Sequence, residues 1–198
     1  MIGKVLNVGI KEIIKQGIPK NFSVIILAQF LYKFFSFFTF IIIARSLGAS
    51  NFGQFSYAIS FAAIFVNFID FGLSNIMIRD VAGEIKEKIE IYLNNILTLK
   101  LILSVLIYLV AILTFLFIES NKILFESILI LCFVLVLDSY SVSFKSAFNL
   151  YEKFNYSALS IISEGALKLM FILFIKYFFV INILSISFLF LFCSIIML

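Results

Sequence analysis

An all-α, polytopic transmembrane helical bundle is the fold class this sequence predicts, and three observations predict it. Apolar residues make up 64% of the chain and its mean hydropathy is +1.20, against roughly half apolar in soluble domains. Only 13% of residues are charged, gathered between apolar runs, so no polar exterior remains for a soluble fold. The runs are continuous rather than alternating, which argues against membrane strands and for helices whose backbone groups satisfy one another in lipid.

About six spans follow, at 22–44, 55–78, 93–117, 123–144, 156–176 and 182–198, each of a length suited to ~30 Å of hydrocarbon at ~1.5 Å per residue. The first two are joined by RSLGASNFGQF (45–55). Arg45 closes the first span, Gly48 is read as the left-handed residue that ends a helix, and Asn51 with Gln54 has the spacing of a capping box for the next. Residues 1–21 are set apart: Lys4, Lys11, Lys15 and Lys20 alternate with Leu6, Ile10, Ile13, Ile14 and Gly17. That is the pattern of a basic amphipathic helix on the bilayer surface, with a disordered tail of chance periodicity as the alternative. The sixth span runs into Leu198 with no flanking charge, as in a chain cut short.

Loop charges set the expected orientation. Lysines of the N-terminus, Arg79, Lys86 and Lys88, and then Lys145 and Lys153, fall on one side, nine in all; Arg45, Lys122 and Lys176, three, fall on the other. The positive-inside rule then puts both termini in the cytoplasm of a cell whose cytoplasmic membrane holds the protein. The same rule accounts for the net charge of +4 without nucleic acid as a partner. Histidine is absent, which removes imidazole triads, proton relays and most transition-metal sites. Cys132 and Cys193 lie inside apolar runs and build no disulfide framework. No cofactor and no metal is expected.

Polar residues inside the spans carry the functional expectations. The second span holds Gly53, Ser56, Ser60, Ala63, Asn67, Asp70 and Ser74 at alternating spacings of 3 and 4, which places them on one helix face. Small residues and hydroxyls on such a face serve close packing more often than transport. The fifth span repeats the device with Ser157, Ser160, Glu164 and Lys168, the first holds Gln29, Lys33 and Ser36, and the fourth Asp138, Ser141 and Lys145. A charge near the bilayer centre costs on the order of 3 kcal/mol, so it faces partners or water. Glu164 and Lys168, four apart in the order that pairs well on a helix, fit mutual neutralisation and a hydrated cavity equally. Lys33 has no carboxylate in its own span and is expected in a cavity. Lys100, nearer a membrane face, is read as snorkelling. A polar cavity face of Gln29, Ser56, Ser60 and Asn67, cationic positions Lys33 and Lys168, and carboxylates Asp70, Asp138 and Glu164 make up the candidate site. Neither IDFG around Asp70 nor LDSY around Asp138 has the GxGD pattern of intramembrane aspartyl proteases, so no enzyme is expected.

RSLGASNFGQF followed by a span ending DFGLSNIMIRD resembles the N-terminal part of Wzx-like polysaccharide flippases, of the multidrug/oligosaccharidyl-lipid/polysaccharide exporter superfamily. Arg45, Leu47, Gly48, Phe52 and Gly53 carry the likeness in the hairpin, with Asp70, Gly72, Leu73 and Arg79 beyond it. FKSAFNLYEKFNYSAL (144–159) resembles the family's cytoplasmic link between its fourth and fifth helices. The resemblance implies one lobe of a MATE-like, two-lobed exporter, with the substrate route between the lobes and a second lobe or a second copy as partner. It implies flipping of an isoprenoid-pyrophosphate-linked saccharide in the membrane lipid, with Lys33 and Lys168 drawing the pyrophosphate and Asp70, Asp138 or Glu164 taking a coupling H⁺ or Na⁺. Lys33 stands where many drug-exporting relatives place a carboxylate, which favours an anionic substrate. A drug or metabolite exporter of the same superfamily and a non-transporting truncated product are the alternatives.

Overall fold

The computed structural model describes residues 18–81, 83–118, 122–178 and 181–198. The expected surface helix of residues 1–21 therefore lies, up to residue 17, outside the described residues. Among the described residues six helices follow one another: α1 (Ile18–Asp70), α2 (Leu73–Val81), α3 (Lys86–Ile118), α4 (Lys122–Leu150), α5 (Phe154–Phe178) and α6 (Ile183–Met197). No strand occurs among the described residues.

α1 is a hairpin. Its helical geometry breaks at Gly48 (φ 75°, ψ 171°), a conformation open essentially to glycine alone. The ring centroids of Phe40 and Phe55 lie 6.4 Å apart, whereas an unbroken helix would hold them about 22 Å apart. The turn thus has the positive φ expected of Gly48 but an extended ψ, not the left-handed helical one. Asn51 also differs from expectation: its side-chain amide donates back to the Leu47 carbonyl at 3.3 Å. It thereby satisfies one of the acceptors that the end of the first arm leaves open.

Among the described residues four helices are long and apolar enough to cross a membrane; the first doubles back at Gly48 into two arms, 18–47 and 49–70. α6 is apolar but has 15 residues, about 22 Å, and is shorter than the span expected there. The second span is likewise shorter than 55–78. The chain breaks at Phe71 (φ 36°) and Gly72 (φ 79°), and α2 starts afresh.

α4 is the central helix and touches every other one. Around it Ile43, Phe55, Ala58, Ala62, Ile128, Leu131, Ile172, Ile186 and Cys193 form the main core. Lipid tails are as apolar as these side chains, so close packing rather than water exclusion holds them. The approach at Gly165 of α5 is tight: a Cβ there would stand 3.1 Å from Tyr32 Cδ2 and 3.3 Å from Phe35 Cβ. That glycine lets the first arm of α1 lie directly on α5, beside Glu164.

Candidate functional site

Four charged side chains meet between α4 and α5. Lys168 Nζ lies 2.8 Å from Glu164 Oε1 and 3.7 Å from Asp138 Oδ2, and Lys145 Nζ lies 2.7 Å from Glu164 Oε2. Ser194 of α6 donates to Asp138 Oδ1 at 2.6 Å, and the Lys168 ammonium stands 5.8 Å from the centroid of the Phe190 ring. The helices α4 and α5 run antiparallel through the tight turn at 151–153. Asp138 then faces Lys168 while Lys145, two turns further along α4, faces Glu164. Two acids and two bases sum to zero, which is what a low-dielectric interior demands of buried ions.

The tetrad lies between two cavities. One, of about 150 Å³, is lined by Tyr32, Ser36, Thr39, Asp138, Lys168 and Phe190 among others. The second, of about 360 Å³, is lined by Gln29, Tyr32, Asp138, Lys145, Asn149, Ser157 and Glu164 with apolar neighbours. Tyr32 and Asp138 belong to both walls. Glu164 and Lys168 thus pair with each other, and each also lines one of the cavities.

A separate charged cluster pins the end of α1. Lys100 of α3 is wholly buried; its Nζ lies 2.5 Å from Asp70 Oδ1 and donates to the Ser139 carbonyl of α4 at 2.8 Å and to Ser74 Oγ at 3.2 Å. Ser74 donates to Asp70 at 2.7 Å across the break at Phe71–Gly72. Lys100 does not snorkel as expected, because Asp70 and a carbonyl meet it inside the bundle. Its signal in the sequence was a lone cation in an apolar run with a carboxylate on the preceding span.

The candidate residues thus divide. Lys168, Glu164, Asp138 and Gln29 come together, and Lys145, counted in the sequence both as a loop charge and with Asp138 and Ser141 of the fourth span, joins them inside α4. Asp70 belongs to the second cluster. Lys33 is exposed among the exposed Phe30, Phe34 and Phe37, on a different face from Tyr32 and Ser36, so it and Lys168 form no joint site within this chain. Gly53, Ser60 and Asn67 are exposed and Ser56 half-buried, whereas Phe55, Ala58, Ala62 and Ile69 of the same arm are buried. From Gly53 to Asn67 the polar stripe of that arm therefore faces outward, and only its end, at Asp70 and Ser74, turns into a charged cluster. Of the residues that carry the family likeness, Gly48 and Gly72 sit at the two chain breaks, Phe52 packs on the core, and Arg79 is exposed, 2.8 Å from Asp80. Gly165, Ser194 and Tyr32 escaped the reading of the sequence; nothing in their spacing sets them apart from packing residues.

An all-helical, multi-pass membrane protein with ionised side chains and polar cavities in its interior is the class that fold and site define. The chain belongs to the polysaccharide biosynthesis protein family, whose model matches residues 18–198. No curated protein and no solved structure matches it.

Proposed function

We propose that the protein carries an isoprenoid-pyrophosphate-linked saccharide across the cytoplasmic membrane, with its N-terminus in the cytoplasm. The observation that supports this best is the neutral tetrad flanked by cavities, in a chain of a polysaccharide biosynthesis family. Lys168 is shared by two carboxylates and is not free to take an anion. Asp138 is its looser partner, at 3.7 Å with 29% of the side chain exposed. An H⁺ or Na⁺ on Asp138 leaves the cluster at +1, and Lys168 then becomes a point charge for phosphate. This ranks Asp138 above Glu164, which holds two lysines, and above Asp70, which holds Lys100. The route across lies between this bundle and a second lobe or second copy.

The test is flux of a fluorescent lipid-pyrophosphate saccharide in membrane vesicles that hold the protein. Lys168→Ala is expected to abolish ion-driven flux, and Asp138→Asn to make flux independent of the ion gradient. Unchanged flux in both variants, or inhibition by cationic dyes in place of lipid pyrophosphates, overturns the proposal; the dye result supports a drug exporter.

A further inference from the structure

The larger cavity, at the α4–α5 turn, holds polar groups that the charge cluster leaves unused. Ser157 is 1% exposed and lines the cavity, yet its Oγ makes no hydrogen bond among the described residues. Other helical hydroxyls do otherwise: Thr39, Ser127, Ser163 and Ser187 each donate to the carbonyl four residues back. The equivalent carbonyl for Ser157, that of Lys153, already accepts the backbone N–H groups of Tyr156 and Ser157. Asn149 Oδ1, from α4 on the wall of the same cavity, is also buried without a hydrogen bond among the described residues. A buried polar atom left unpaired costs about 1–3 kcal/mol, so two on one cavity wall point to a ligand that pairs them.

The chemistry of the wall selects the ligand. Lys145 and Glu164 are engaged with each other and Asp138 with Ser194 and Lys168, so neither an anion nor a cation finds a free counter-charge there. What remains free is neutral: a hydroxyl and an amide oxygen, with the Gln29 amide and the Tyr32 ring on the same wall. Asn149 Oδ1 needs a donor, and Ser157 Oγ takes either. A sugar ring supplies hydroxyls that donate and accept, and an apolar face for an aromatic side chain. The volume, about 360 Å³, falls in the lower part of the ~300–1,000 Å³ range of small-molecule sites and suits a short saccharide rather than a lipid chain.

We infer that this cavity is a saccharide pocket, in which Asn149 and Ser157 read sugar hydroxyls while the lipid pyrophosphate lies toward Lys168. The inference rests on the lipid-linked substrate proposed above and assigns its sugar to named residues. In nanodiscs, the binding of undecaprenyl pyrophosphate carrying glucose, N-acetylglucosamine or rhamnose is compared with that of the sugar-free carrier. At least one glycosylated probe is expected to bind about tenfold more tightly than the bare carrier. Ser157→Ala and Asn149→Leu are each expected to cut that preference about three- to tenfold, and Ser157→Thr to keep most of it. Equal binding of all four lipids overturns the pocket and leaves the carrier reading standing, with water alone pairing Ser157 and Asn149. Failure of every lipid to bind overturns both. A preference that survives both substitutions places the sugar elsewhere and also overturns the pocket.

Discussion

Replacing Lys168 by methionine tests whether the four buried charges act as one unit. The substitution keeps most of the length of the side chain and removes the cation that, among the described residues, touches both carboxylates, at 2.8 and 3.7 Å. The cluster then carries −1 in a setting where Glu164 and Lys168 are each about a tenth exposed. Breaking a buried pair by deleting one partner costs about 3–5 kcal/mol; the contact with half-open Asp138 is the weaker one, which puts the value near the lower end. For a chain of this size ~1 kcal/mol moves the melting temperature by roughly 2–4 °C, so Lys168→Met is expected to lower it by about 6–12 °C. The assay is thermal unfolding in nanodiscs followed by the circular dichroism of the helices. Lys168→Met combined with Asp138→Asn restores neutrality and is expected to recover at least half of the loss. A single variant within 2 °C of the parent, or a double variant no better than the single, refutes the neutral-unit reasoning.

Two further outcomes are expected. Lys100→Met strands Asp70 beside the break at Phe71–Gly72 and should lower the melting temperature by a similar amount, whereas Lys100→Met with Asp70→Leu should regain most of it; equal melting of the two variants counts against the pin. Gly165→Val places a side chain within about 3 Å of Tyr32 and Phe35, an overpacking cost of about 1–3 kcal/mol, read as a drop of several degrees. Gly165→Val that melts like the parent would show that α1 and α5 give way there.

The helices were legible because lipid imposes one rule on every span, and continuous apolar runs obey it. Their limits were less so: the turn at Gly48 falls between the first two spans as expected, but the break at Phe71–Gly72 lies inside 55–78, which hydropathy reads as one span. Glu164 and Lys168 were legible as a pair because they share one helix and four-residue spacing. Lys145 and Lys100 were not, since their partners stand on other helices, and membership in a cluster then depends on packing that no local pattern encodes. The outward face of the Ser56–Ser60–Asn67 stripe shows the same limit. Spacing puts residues on one face without saying which way that face turns, and here Phe55, Ala58 and Ala62 claimed the interior.

The way the ions are shared among helices bears on how the chain enters a membrane. α4 brings Asp138 with Lys145, and α5 brings Glu164 with Lys168, so each of these segments leaves the ribosome with its buried charges already balanced in sign and can cross the bilayer without waiting for the other. Once both are in place, sliding one past the other by a turn, ~5.4 Å, sets Glu164 against Asp138, and the like charges drive the pair back into step. Asp70 and Lys100 are arranged otherwise. The acid is synthesised thirty residues before the base that neutralises it, so this ion pair forms only once α3 has joined the α1 hairpin.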